Sequence, residues 1–257
     1  MTEDLVSQLK AMKDLDQVLV FSFQVDLPFV EGVIQPALRK AGNPRLSMFV
    51  DSREASKAFI NSGKWCAGLG KTYRLIPVHS EGSGCFHPKI VFAASQTNAT
   101  LFVGSGNLTF GGCRQNAEIW SRFGTDGYAG PIKGFQQFLI EVQERCTLSQ
   151  QGADEIQRSF DEAKHHWVSS LPEATGILWR SWAPGPSLLV RLGNEMDGEA
   201  IDELYVCSPY YDPGGNALRG LERLCPQAQI HVLVQEGKSD LTQEMVDSLG
   251  GKAMLHA

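Results

Sequence analysis

Short apolar runs alternate with helix-like stretches along the first eighty residues. The run at 17–22, which carries Val18, Leu19, Val20 and Phe21, has the β-branched and aromatic make-up of a buried strand. After it, Val30, Val33, Ile34, Ala37 and Leu38 recur at three- and four-residue intervals, which predicts a helix. Pro36 inside that pattern predicts a kink or an early stop, because proline has no amide proton to give the preceding turn. A second strand is predicted over 46–50, a short helix over 53–60 and a third strand over 73–78. Strand and helix in alternation predict a parallel sheet with helical crossovers. A polar loop, HSEGSG, follows at 79–84. Two apolar runs at 87–94 and 99–104 then flank the polar residues 95–98 and read as a β-hairpin. Phe135, Phe138, Leu139 and Val142 mark one packing helix, and Ile156, Phe160, Ala163 and Trp167 mark another, with His165 and His166 exposed on it.

Beyond about residue 170 a fresh set of strands is predicted at 187–192, 203–208 and 230–234, with a short one near 254. Here a repeat emerges. Residues 16–26 and 202–212 align without gaps, matching Asp16 with Asp202, Ser22 with Ser208 and Asp26 with Asp212, and each copy continues into a helical stretch and a strand. The fold class expected is α/β, a mixed sheet flanked by helices, with a first unit at 1–170 and a partial second unit at 171–257.

Composition narrows the classes. The chain has 257 residues, 42% hydrophobic and 20% charged, which suits a folded globular protein and excludes a disordered or fibrous one. Its net charge of −6 gives no overall basic surface, so a site for a polyanion must be local. The six cysteines form no CxxC and no cluster with histidine, so they read as free thiols and no metal centre is expected. A polar N-terminus and apolar runs far shorter than the roughly 20 residues of a membrane span predict a cytoplasmic protein without membrane attachment.

The window 86–118 carries the chemistry. His87 and Lys89 are two apart, so both side chains leave the same face of a strand. The return strand runs into Gly104, Ser105, Gly106 and Asn107, a turn of small residues where backbone and short polar groups can approach a ligand. Imidazole, ammonium, hydroxyl and carboxamide at one end of a hairpin make an anion site with a titratable group in it. Phosphate is the natural guest: imidazole is partly unprotonated at neutral pH and can attack phosphorus, while Lys89 and Asn107 donate to its non-bridging oxygens.

HPK at 87–89, GSGN at 104–107 and the following NLTFGG and NAE resemble the HxK and GSxN elements of the phospholipase D superfamily, in the flavour of the nuclease-like domains of prokaryotic restriction and helicase-associated proteins. The resemblance covers residues 16 to about 125, and 200–257 more faintly. It implies that His87 is the nucleophile or its acid partner, that Lys89 and Asn107 hold phosphate oxygens, that Ser105 is the motif's small hydroxyl, and that Glu118 orients the histidine. It implies a DNA nuclease acting without metal or cofactor through a phosphohistidine. The alternatives are a non-catalytic nucleic-acid-binding or assembly module and a hydrolase of lipid or other small phosphodiesters. Two departures stand out. Ala94 replaces the aspartate of the full motif, which is mainly structural in the family. Only one complete motif is present where the family uses two, so the second acid is expected from the His87 of a homodimer partner or from a second motif. His256 falls where that second HxK would begin. The repeat favours the latter source: it is expected to continue the first sheet, to point His256 towards His87, and to leave this chain alone weakly active or inactive.

Two other phosphate loops are set aside. Gly70, Lys71 and Thr72 end like a P-loop, but Trp65 stands where its first glycine belongs; Gly104 and Gly106 open a dinucleotide fingerprint, but Thr109 replaces its third glycine. Residues 39–74 carry eight cations (Arg39, Lys40, Arg45, Arg53, Lys57, Lys64, Lys71, Arg74) against Asp51 and Glu54, which predicts either a solvated face or a phosphate-tracking patch beside the site.

Overall fold

A computed structural model describes residues 4–80, 84–116, 118–161, 163–173, 187–196, 198–208, 210–234, 239–247 and 249–256. Two compact units are present, Met1–Ile177 and Leu178–Ala257. In the first the order is α1 (Leu5–Ala11), β1 (Gln17–Ser22), α2 (Leu27–Phe29), a π turn at Val30–Ile34, α3 (Gln35–Lys40), β2 (Arg45–Asp51), α4 (Ser52–Ser62), β3 (Tyr73–Ser80), β4 (Lys89–Ala94), β5 (Ala99–Gly104), β6 (Trp120–Gly124), α5 (Gly130–Arg145), β7 (Cys146–Thr147) and α6 (Gln150–Ser159). The second carries α7 (Leu188–Met196), β8 (Glu203–Cys207), α8 (Asn216–Leu224), β9 (Gln229–Leu233), α9 (Gln243–Asp247) and β10 (Ala253–His256).

The first sheet has the order β6-β5-β4-β1-β2-β3-β7. β1, β2 and β3 are parallel and β4, β5 and β6 antiparallel, so the sheet is mixed and flanked by helices, as the sequence predicts. β1 lies at the centre and every one of its residues is buried, because helices cover both faces. Val18 and Val20 face a core completed by α1 to α3 through Leu5, Leu9, Val30, Ile34 and Leu38. On the opposite face Phe21 stacks on Phe49 at 4.7 Å and meets the edges of Phe135 and Phe138 from α5.

Pro36 does not end its helix. A π turn at Val30–Ile34 precedes it and the chain stays helical to Lys40, since a widened turn accommodates the missing amide proton. The helix predicted through Trp167 stops at Ser159, and Trp167 lies beyond it with its indole N–H donating to the Ser95 carbonyl at 3.1 Å. His165 is correspondingly not exposed: it is buried and its Nε2 lies 3.3 Å from Asp16 Oδ2. The loop predicted at 79–84 lies outside the described residues at 81–83.

In the second unit β8, β9 and β10 form a separate parallel three-stranded sheet, where the sequence predicted a continuation of the first. The strand predicted at 187–192 is helix α7. A six-residue run with four apolar residues suits either element, and packing decides: a Cβ on Gly220 of α8 would meet the Leu189 side chain and one on Gly193 the Leu224 side chain.

The repeat is visible in hydrogen bonds. Ser22 Oγ donates to the carbonyl of Gln24 (2.6 Å) and Ser208 Oγ to that of Tyr210 (2.9 Å). Asp26 accepts from the Phe29 amide at the start of α2, and Asp212 from the Asn216 and Ala217 amides at the start of α8. The Asp16 carbonyl accepts from Arg45 N and the Asp202 carbonyl from Gln229 N, which fixes β8, β9 and β10 as counterparts of β1, β2 and β3.

Candidate functional site

Strand register gathers the motif at one end of the first sheet. Ser22, the last residue of β1, is opposite Lys89, the first of β4. Ile90 is opposite Val103, which sets Lys89 across from Gly104, and Gly104 is opposite Trp120 at the start of β6. The residues just outside these positions, His87, Ser105, Asn107 and Glu118, therefore come to the same end.

His87 is held from both sides along the chain. Its neighbour Phe86 is fully buried against Phe21, and the Phe86 amide donates to Asp51 Oδ2 at 3.0 Å. Asp51 Oδ1 caps the start of α4 by accepting from the Arg53 amide, so one carboxylate ties the histidine segment to β2 and α4. The imidazole itself is exposed, with the Phe23 ring 4.5 Å away. Lys89 Nζ lies 2.7 Å from His87 Nδ1 and donates to the His87 carbonyl at 3.2 Å. Partial burial, and then the Lys89 charge, hold the His87 pKa below its usual value. Lys89 is pushed down to about 8, chiefly by burial, with Cys85 and Glu118 opposing the shift.

Asn107 is oriented by β1. Its Oδ1 lies 3.3 Å from Ser22 Oγ and 3.4 Å from the Gln24 amide. Ser22 Oγ also accepts from the Leu108 amide at 3.1 Å, so a single hydroxyl anchors the turn after β5. With Oδ1 engaged, the donor end of the Asn107 amide is the end left for a ligand. The glycines around it are set by backbone contact. A Cβ on Gly106 would strike the Gly112 carbonyl, and one on Gly112 would lie 2.7 Å from the Asn107 amide nitrogen.

Ser105 Oγ donates to Glu118 Oε2 at 2.5 Å and accepts from the Ile119 amide at 3.1 Å, and Asn116 Nδ2 donates to Glu118 Oε1 at 3.2 Å. Glu118 thus braces the GSGN turn. The expectation that it orients His87 is corrected, since the imidazole's polar neighbour is Lys89. Ala94, in place of the motif's aspartate, is fully buried between Gln17 and Ala99, where an unpaired carboxylate would be costly.

His256 does not begin a second HxK. Arg45 matches Gln229, so Phe49 matches Leu233, and Ile76, opposite Phe49 on β3, is matched by His256, opposite Leu233 on β10. Its place is on the third strand of its unit, ahead of any motif strand. Its Nε2 lies 3.0 Å from Nδ1 of His231, on whose other side Tyr205 stacks at 4.4 Å.

The eight cations of 39–74 do not form one patch. Arg39, Lys40 and Arg45 lie at the other end of the sheet, because Arg45 pairs with Gln17 at the start of β1. Lys57 is paired with Glu54, and Arg74 with the buried Glu155 at 2.6 Å. Gly70, Lys71 and Thr72 make a tight turn that leads into β3, the reverse of the strand-to-helix order of a P-loop. Sequence reading missed Ser22, Gln24, Phe23 and Asp51. The match of Ser22 with Ser208 was the one available signal, and it reports the shared turn.

No family model and no curated protein matches this sequence. Among solved structures the chain is similar to NucT from Helicobacter pylori, at 13% identity and a TM-score of 0.40, over 56% of this chain and 88% of that one. It is also similar to a polyphosphate kinase from Porphyromonas gingivalis, at 12% identity and a TM-score of 0.46, over 98% of this chain and 38% of the kinase.

Proposed function

We propose that the first unit processes phosphodiesters in the manner of the phospholipase D superfamily, and that it hydrolyses DNA without a metal through a phosphohistidine on His87. One observation carries this reading: His87, Lys89, Ser105 and Asn107 share one end of a rigid sheet, with the Lys89 ammonium 2.7 Å from the imidazole. An imidazole nitrogen of His87 attacks phosphorus and forms an N–P bond as the bond to the leaving oxygen breaks. Lys89 and the Asn107 amide neutralise the non-bridging oxygens as charge builds. Water then attacks the phosphohistidine, the N–P bond breaks, and the phosphate monoester and free His87 are released. The leaving oxygen needs a proton from the far side of phosphorus. The motif supplies one histidine, so we assign the acid to a second one, from the His87 of a second copy of this chain or from a second motif following the repeat.

Rapid acid-free quenching during turnover of a short DNA, followed by peptide mass spectrometry, tests the reading. The expected result is a transient adduct on His87 of the DNA fragment that keeps the phosphorus, absent from Lys89→Ala. An adduct on another residue, or activity with no adduct and no loss in His87→Ala, overturns it.

A further inference from the structure

Helix α4 breaks the rule that a domain helix buries its apolar stripe. Of its residues only Ala55 is buried, while Phe59 and Ile60 are 59% and 74% exposed, as is Trp65 just beyond it at 74%. Ala55, Ser56 and Phe59 form one wall of an open groove of about 590 Å³. Leu69, with Leu75 and Pro77 of β3, forms the other. β3 is an outer strand here: β2 pairs along one side, and on the other β7 reaches only His79 and Ser80. Pro77, without an amide proton, makes this edge a poor template for another strand.

The rim is basic. Lys64 and Lys71 are exposed on the segment between α4 and β3, Lys71 directly after the lining Gly70, while Lys57 and the lining Arg74 are paired with Glu54 and Glu155, and Glu31 is engaged by the Gly68 amide and the Tyr73 hydroxyl. Lys64 Nζ sits 4.8 Å above the Trp65 ring, which leaves its charge beside the apolar surface.

We propose that this groove is a docking site for an acidic amphipathic helix of a partner protein. Ser56, Phe59 and Ile60 present a ridge at the three- and four-residue spacing that seats a second helix, and the groove has room for several leucine-sized side chains. The surplus of cations selects carboxylates on the partner's flanks. A phosphate backbone would share the charge preference, but most of the lining (Ala55, Phe59, Ile60, Leu69, Leu75 and Pro77) is apolar and calls for apolar side chains to fill it.

The test uses the full chain and a fluorescent synthetic helix with leucines at three- and four-residue intervals and glutamates elsewhere, against a counterpart with lysines. The glutamate helix should bind at least roughly tenfold more tightly than the lysine one. Ile60→Glu, at a solvent-facing position, should weaken it by about the same factor with an unchanged melting temperature, and so should Lys64→Glu combined with Lys71→Glu. Equal binding of the two helices, or insensitivity to these substitutions, overturns the proposal. So does displacement of the glutamate helix by a DNA oligomer, or a dimer in sedimentation that Ile60→Glu dissolves, which would assign the face to nucleic acid or to a second copy.

Discussion

The lowered His87 and Lys89 pKa values have opposite consequences for a mechanism that needs a neutral imidazole and a charged ammonium. His87 loses its proton below the ordinary value near 6.5, so activity rises early on the acid side. Lys89 loses its charge near 8, so activity falls on the alkaline side well before an ordinary lysine would titrate. Deprotonation of the acid histidine sets the first alkaline fall in kcat/KM, and loss of the Lys89 charge should add a second near 8 that Lys89→Arg removes, because a guanidinium stays charged. A profile still rising at pH 9 would contradict this. Ser22→Ala tests the orientation of Asn107: it should lower kcat several-fold with little change in KM, whereas Asn107→Ala should cost about 2.7 to 4 kcal/mol of transition-state stabilisation if the amide is one oxyanion donor. His87, Lys89, Ser105 and Asn107 were legible because spacing within one hairpin fixes their faces. Ser22 and Asp51 were not, because Ser22 acts on Asn107 and Asp51 on Phe86, far along the sequence and adjacent only through strand pairing.

Among the elements, the turn between β5 and β6 leaves no room for a methyl group at Gly106 or Gly112. Gly112→Ala puts a methyl group against the Asn107 backbone, so it should abolish activity while shifting the melting temperature far less than a core truncation does. Retained turnover in a folded Gly112→Ala protein would contradict the account of this turn. Legibility at this scale follows pattern length. Strands β1, β2 and β3 were read where they lie because alternation with helices repeats over eighty residues. α7 was misread because the predicted run ended at Leu192, short of Met196, which completes the four-residue spacing of Leu188 and Leu192, and the end of α6 was missed because Phe160 and Trp167 meet at 5.5 Å across a turn, not along a helix.

At the scale of the molecule, the rigidity of the first sheet is what holds the site. Phe21 links the two aspects: its ring is in the aromatic core, and the residue after it is Ser22. Phe21→Ala should cost roughly 3 to 5 kcal/mol of stability, read as a lower denaturant midpoint with an unchanged slope. The duplication of β1–β2–β3 as β8–β9–β10 was legible in Asp16, Ser22 and Asp26, yet the place of His256 was not. Locating it needs the pairing of β10 with β9, which three matched residues upstream do not specify. The central claim is a metal-free site built around His87, and release of p-nitrophenolate from bis(p-nitrophenyl) phosphate in excess EDTA tests it most directly. The account predicts turnover that persists in the chelator and disappears in His87→Ala. Activity that vanishes with EDTA and returns with magnesium, or that survives in His87→Ala, would contradict it.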